Sequence, residues 1–121
     1  MCIRDRPTRA DLTTASLQKY KNMIDIWGGW QLFQELLEVL NIISKKHNCS
    51  IANIATRFIL DKPQVAGVII GARLGITDHR KDNSKVFDLK LDQNDLSLVS
   101  TITSKSNDLF NAIGDCGDEY R

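Results

Sequence analysis

Residues Val65 to Ile70, Val-Ala-Gly-Val-Ile-Ile, form an uncharged, largely β-branched run that stops abruptly at Gly71-Ala72-Arg73-Leu74-Gly75. A strand without polar alternation is stable only where both of its faces are covered, as in a parallel sheet flanked by helices, so the run predicts an α/β arrangement. The turn after it leads into a polar stretch, Thr77 to Lys85, that reads as a short helix with Thr77 as its cap. Loop amides, a helix N-terminus and the Arg73 guanidinium are thereby brought to one place, a combination that suits a phosphate group.

The segments around this unit read as helices. Between Pro7 and Trp30, the spacing of Leu17, Tyr20, Met23, Ile24 and Trp27 predicts a helical insert in a loop. The Trp27-Gly28-Gly29-Trp30 cluster fits either the wall of a mobile pocket loop or a hydrophobic anchor for the next helix. From Gln31 to His47 a wide apolar stripe faces polar residues, with glutamates early and Lys45-Lys46-His47 at the end, as the helix dipole favours. Ser50 is placed to cap a second helix, over 50–61, in which Ile51, Ile54, Ala55, Phe58 and Ile59 share a face; Asp61-Lys62-Pro63 stops it. Val86 to Leu91 is expected to be extended. Asp92 is expected to cap a last helix near 93–104, with Asp95 as the reciprocal member of the cap. The tail, Ser106 to Arg121, carries Leu109, Phe110, Ile113 and Tyr120, for which the sequence supplies little to pack on.

The run 65–70, its glycine-rich turn and the polar helix through His79, Asp82 and Asn83 resemble the last strand, loop and helix of the aldo-keto reductases. That family is built on a (β/α)8 barrel, which needs about 250 residues. With 121 residues, this chain is expected to be the C-terminal portion of such a barrel, mostly helical in isolation. Residues 1–6 read as a non-native leader, 7–105 as the barrel portion and 106–121 as a tail. The resemblance implies NADP(H) as cofactor: Gly71, Ala72 and Arg73 fall where the family holds the 2′-phosphate, and His79, Asp82 and Asn83 where its helix meets the adenosine. Ala72 lacks the hydroxyl often found there, the loop to Asn83 is longer than the common pattern, and Arg80 stands beside His79 as a second basic group. The family transfers hydride between NADPH and aldehydes or ketones, using a tyrosine acid supported by lysine, aspartate and histidine from upstream strands. Neither Tyr20 nor Tyr120 lies in such a context, so no catalytic residue is assigned; the substrate of the complete enzyme is expected to be a small carbonyl compound.

Net charge is +1, which gives no electrostatic reason to expect nucleic acid or an anionic membrane as partner. No stretch approaches the ~20 apolar residues of a membrane span, and a cytoplasmic location is expected. Cys2, Cys49 and Cys116 are odd in number and far apart, as in reduced thiols rather than a disulfide framework. Asp115, Cys116, Asp118 and Glu119 lack the spacing of a metal loop. Two other readings remain: a helix-turn-helix over 31–61, in which Arg57 is the one basic residue of the second helix before Lys62, and a non-enzymatic helical interaction module.

Overall fold

The computed structural model describes residues 11–71, 73, 75, 76 and 78–114. Six α-helices occur there: α1 (Ala15–Trp27), α2 (Trp30–His47), α3 (Ile51–Leu60), α4 (Arg80–Asn83), α5 (Gln93–Thr103) and α6 (Leu109–Ile113), with a 3-10 segment over Ser84–Asp88. They divide into two compact units. One comprises the chain up to Leu36 and from Ile102 onward, the other Leu37–Thr101.

In the first unit, the Thr14 hydroxyl accepts the Leu17 N–H (3.2 Å) and starts α1. The helix ends where Gly28 and Gly29 both donate to the Ile24 carbonyl, at 3.2 and 2.9 Å, with Gly29 at φ +92°. Gly29 in turn accepts the Phe33 N–H at 3.2 Å, so two residues suffice to close α1 and open α2. Trp30 is buried and its ring lies tilted on Phe33, centroids 5.7 Å apart. The Trp-Gly-Gly-Trp cluster is thus the hydrophobic anchor rather than a mobile wall.

The tail expectation is corrected in its first half. Asn107 donates through its backbone to the Trp27 carbonyl (2.7 Å) and through Nδ2 to the Ile26 carbonyl (2.9 Å), satisfying the last groups of α1. Asp108 then caps α6, accepting the Phe110 N–H at 2.9 Å. Leu109 shares a small apolar cavity with Met23, Ile24, Trp27, Phe33 and Leu36. The packing partner is α1, distant in sequence and hence not apparent from the tail's composition. Residues 115–121, including Asp115, Cys116, Asp118, Glu119 and Tyr120, lie outside the described residues, as does the leader 1–6.

In the second unit, Leu40, Ile43, Ile54, Val86, Leu89 and Val99 form the buried core. The end of α2 is closed by Asn48 at φ +52°, with the Cys49 N–H donating to the Ser44 carbonyl at 3.0 Å, a Schellman arrangement. Ser50 caps α3 by accepting the Asn53 N–H (3.2 Å). At α5 the expected reciprocal cap is present: Asp92 Oδ1 accepts the Asp95 N–H at 2.8 Å, and Asp95 Oδ2 accepts the Asp92 N–H at 3.1 Å.

Three expectations are corrected. Residues 65–70 form no strand; among the described residues the only β interaction is an isolated bridge at Arg73, and the rest is mostly helical, as expected of this portion in isolation. A central parallel strand exists by virtue of its neighbours, and none is at hand: Ile69 is 99% exposed. The polar helix begins at Arg80, whose N–H the Asp78 carboxylate accepts at 3.0 Å; Thr77, the expected cap, lies outside the described residues. Val86, Phe87 and Asp88 continue in the 3-10 segment, and Leu89 is the first extended residue after it (φ −85°, ψ 129°). A 3-10 turn puts positions three apart on one side, which is how Val86 and Leu89 both reach the core.

Candidate functional site

Within the second unit, the 65–71 segment, α3 and α4 with its 3-10 extension line an open cleft of about 480 Å³. Val68, Ile70 and Phe87 supply part of its apolar lining, and Gly71, His79, Arg80 and Asn83 part of the rest, with Thr56 and Ser84. This brings together three of the six residues that the sequence points to, Gly71, His79 and Asn83. A Cβ built on Gly71 would meet nothing within 4 Å, so the backbone there is open to approach.

The remaining three lie elsewhere. Ala72 is outside the described residues. Arg73 is exposed and does not line the cleft, although only two positions separate it from Gly71. Asp82 is turned toward α3: its Oδ2 accepts a hydrogen bond from the Ser50 hydroxyl (2.9 Å), and Lys85 Nζ lies 3.6 Å from its Oδ1. The residue that caps α3 is therefore tied to α4.

Arg80, next to His79 in sequence, is a lining residue, yet its guanidinium is engaged. Nε donates to Asp78 Oδ1 at 3.0 Å and a terminal nitrogen to Asp78 Oδ2 at 2.7 Å. These bonds hold the Asp78 carboxyl below the usual carboxylate range and raise the Arg80 guanidinium further. Arg73 makes no ion pair with another described residue. Sequence reasoning missed Phe87 as a lining side chain. Assigning Val86 to Leu91 as extended hid the i, i+3 geometry that buries Val86 and leaves Phe87 81% exposed.

A second cluster surrounds the α2–α3 turn. Asp95 is buried and accepts from Lys46 Nζ (2.9 Å) and faces His47 Nε2 (2.6 Å), while Lys46 also bonds Asp92. Beside it, a cavity of about 240 Å³ is lined by His47, Cys49, Lys85 and Lys90, among others. Burial first, and then Asp82, push the Cys49 thiol up, the opposite of what a nucleophilic cysteine needs. The cluster ties the end of α2 to the start of α5.

The family model described as the aldo/keto reductase family matches residues 4–104. That is most of the chain, and the chain belongs to this family, whose members are oxidoreductases that use NAD(P)H and are built on a barrel. No curated protein and no solved structure matches the chain. Among the described residues no helix is long and apolar enough to cross a membrane.

Proposed function

We propose that this chain is the C-terminal, cofactor-binding portion of an NADPH-dependent aldo-keto reductase of the cytoplasm, whose complete form reduces small aldehydes or ketones. The observation that carries the reading is the cleft in which Gly71, His79 and Asn83 converge. Its chemistry fits an adenosine: an apolar wall with Phe87 for the flat base, the Asn83 amide and the His79 imidazole for hydrogen bonds, and open backbone at Gly71. Arg73, two residues beyond Gly71 and thus within about 7 Å of it along the backbone, is assigned the 2′-phosphate. Arg80, already held by Asp78, lends its aliphatic stem to the wall.

When bound, NADPH supplies the hydride. The residues here bind and orient; they move no proton on the substrate, since general acid catalysis requires a donor positioned near the carbonyl oxygen. The experiment is an amide-shift map with 2′,5′-ADP on the 121-residue chain. The proposal expects perturbation at Gly71, Arg73, His79 and Asn83. Shifts confined to the His47–Cys49 cavity, or none at millimolar nucleotide, would contradict it.

A further inference from the structure

We infer that Ser50 is a positioning residue for the cleft: through Asp82 it holds α4 in place, so that His79 and Asn83 face the nucleotide while Asp82 itself does not touch it; the inference rests on the cofactor reading above. All of these residues lie in the second unit. The helix α4 is a single turn, closed by the Asn83 N–H on the His79 carbonyl at 2.7 Å. A turn that short has little stability of its own and persists only where its neighbours hold it. His79 and Asn83, four positions apart, come to the same side of it and both line the cleft, whereas Asp82 does not.

The Ser50 hydroxyl is used twice. It accepts the Asn53 N–H at 3.2 Å, which starts α3, and it donates to Asp82 Oδ2 at 2.9 Å. Lys85 Nζ stands 3.6 Å from Asp82 Oδ1, so both carboxylate oxygens already have partners on the protein. Ser50 and Asp82 are each half-buried, and a hydrogen bond to a carboxylate is about twice as strong as one between neutral groups. The capped start of a ten-residue helix thus fixes a four-residue one. Losing that bond frees the turn that carries the two side chains assigned to the adenosine.

The test separates the two uses of the hydroxyl. In Ser50→Asp the carboxylate caps α3 as well as serine does but cannot donate to Asp82. In Ser50→Asp/Asp82→Asn the amide introduced at position 82 donates to that carboxylate and restores the bond with its direction reversed. Amide hydrogen exchange of the nucleotide-free 121-residue chain is read at Asn83, whose N–H closes α4, and at Ile54, whose N–H bonds the Ser50 carbonyl at 3.2 Å. Ser50→Asp should lower the protection of Asn83 about tenfold with Ile54 unchanged, and weaken 2′,5′-ADP about tenfold; both should return in the double variant. Unaltered exchange at Asn83, an equal loss at Ile54, an affinity indifferent to Ser50→Asp, or no recovery in the double variant would each overturn the inference. A wild-type chain that ignores 2′,5′-ADP would contradict the cofactor reading instead, and the exchange at Asn83 would still decide whether Ser50 holds α4.

Discussion

His47 Nε2 lies 2.6 Å from Asp95 Oδ2, joining the last residue of α2 to the buried third residue of α5. The same carboxylate accepts from Lys46 at 2.9 Å and from the Asp92 N–H at 3.1 Å, so one side chain closes a helix cap and bridges two helices. Removing it leaves the half-buried His47 and the Asp92 N–H without their acceptor, while Lys46 keeps Asp92. Asp95→Ala is expected to lower the unfolding free energy by about 3 kcal/mol, measured by urea titration. Asp92→Ala, on the exposed side of the cluster, should cost distinctly less. Equal effects would show that the buried bridge carries no special weight.

Acid should act through the same group. Burial raises the Asp95 carboxyl, but the bonds from His47, Lys46 and the Asp92 N–H together outweigh it and hold it below the usual carboxylate range; Lys46, then the Asp95 N–H, do the same for Asp92. A carboxyl whose folded pKa is depressed contributes stability above its unfolded value, near 3.8, and loses it as the pH falls through the folded value. Stability should therefore fall as the pH drops below about 4. Asp95→Asn should flatten that acid limb, and an unchanged limb in the variant would exclude Asp95 as its origin.

Asn53 carries the opposite expectation. Its amide oxygen and nitrogen are both buried without a hydrogen-bond partner, in a side chain only 1% exposed. Replacing an unsatisfied polar group by an apolar one of similar size removes a desolvation penalty of about 1–3 kcal/mol. Asn53→Leu should raise the melting temperature. A lower one would mean that the amide finds partners in solution.

Two backbone positions should respond with opposite sign. Gly29 stands at φ +92°, where a side chain is strained, and Gly29→Ala should destabilise by about 1 kcal/mol or more. Asn48 is at φ +52°, a conformation that glycine adopts without penalty, so Asn48→Gly should be neutral or stabilising. Thermal melts of the pair test the assignment of both turns.

What was legible in the sequence was what acts locally. The Ser50 cap, the Asp92–Asp95 box and the proline stop of α3 each depend on residues within a few positions, and each is present. The β-branched, uncharged 65–70 run predicts a strand because such a run needs two covered faces, and the described residues do not provide the neighbours that would cover them. The His47–Asp95 bridge spans 48 positions. Lys45-Lys46-His47 showed only dipole complementarity, with nothing to name the distant carboxylate. At the candidate site the sequence pointed to Gly71, His79 and Asn83, which do converge, and to Asp82, whose bond to Ser50 could not be foreseen from either residue's local pattern.

The central claim, that this chain holds the phosphate end of NADPH, is tested most directly by titrating the chain and its Arg73→Ala variant with NADPH and NADH. A guanidinium gripping the 2′-phosphate contributes about 1.5–3 kcal/mol through charge-assisted bonds, so Arg73→Ala should weaken NADPH about 10- to 100-fold and leave NADH nearly unchanged. Equal weakening of both nucleotides, or of neither, would contradict the assignment.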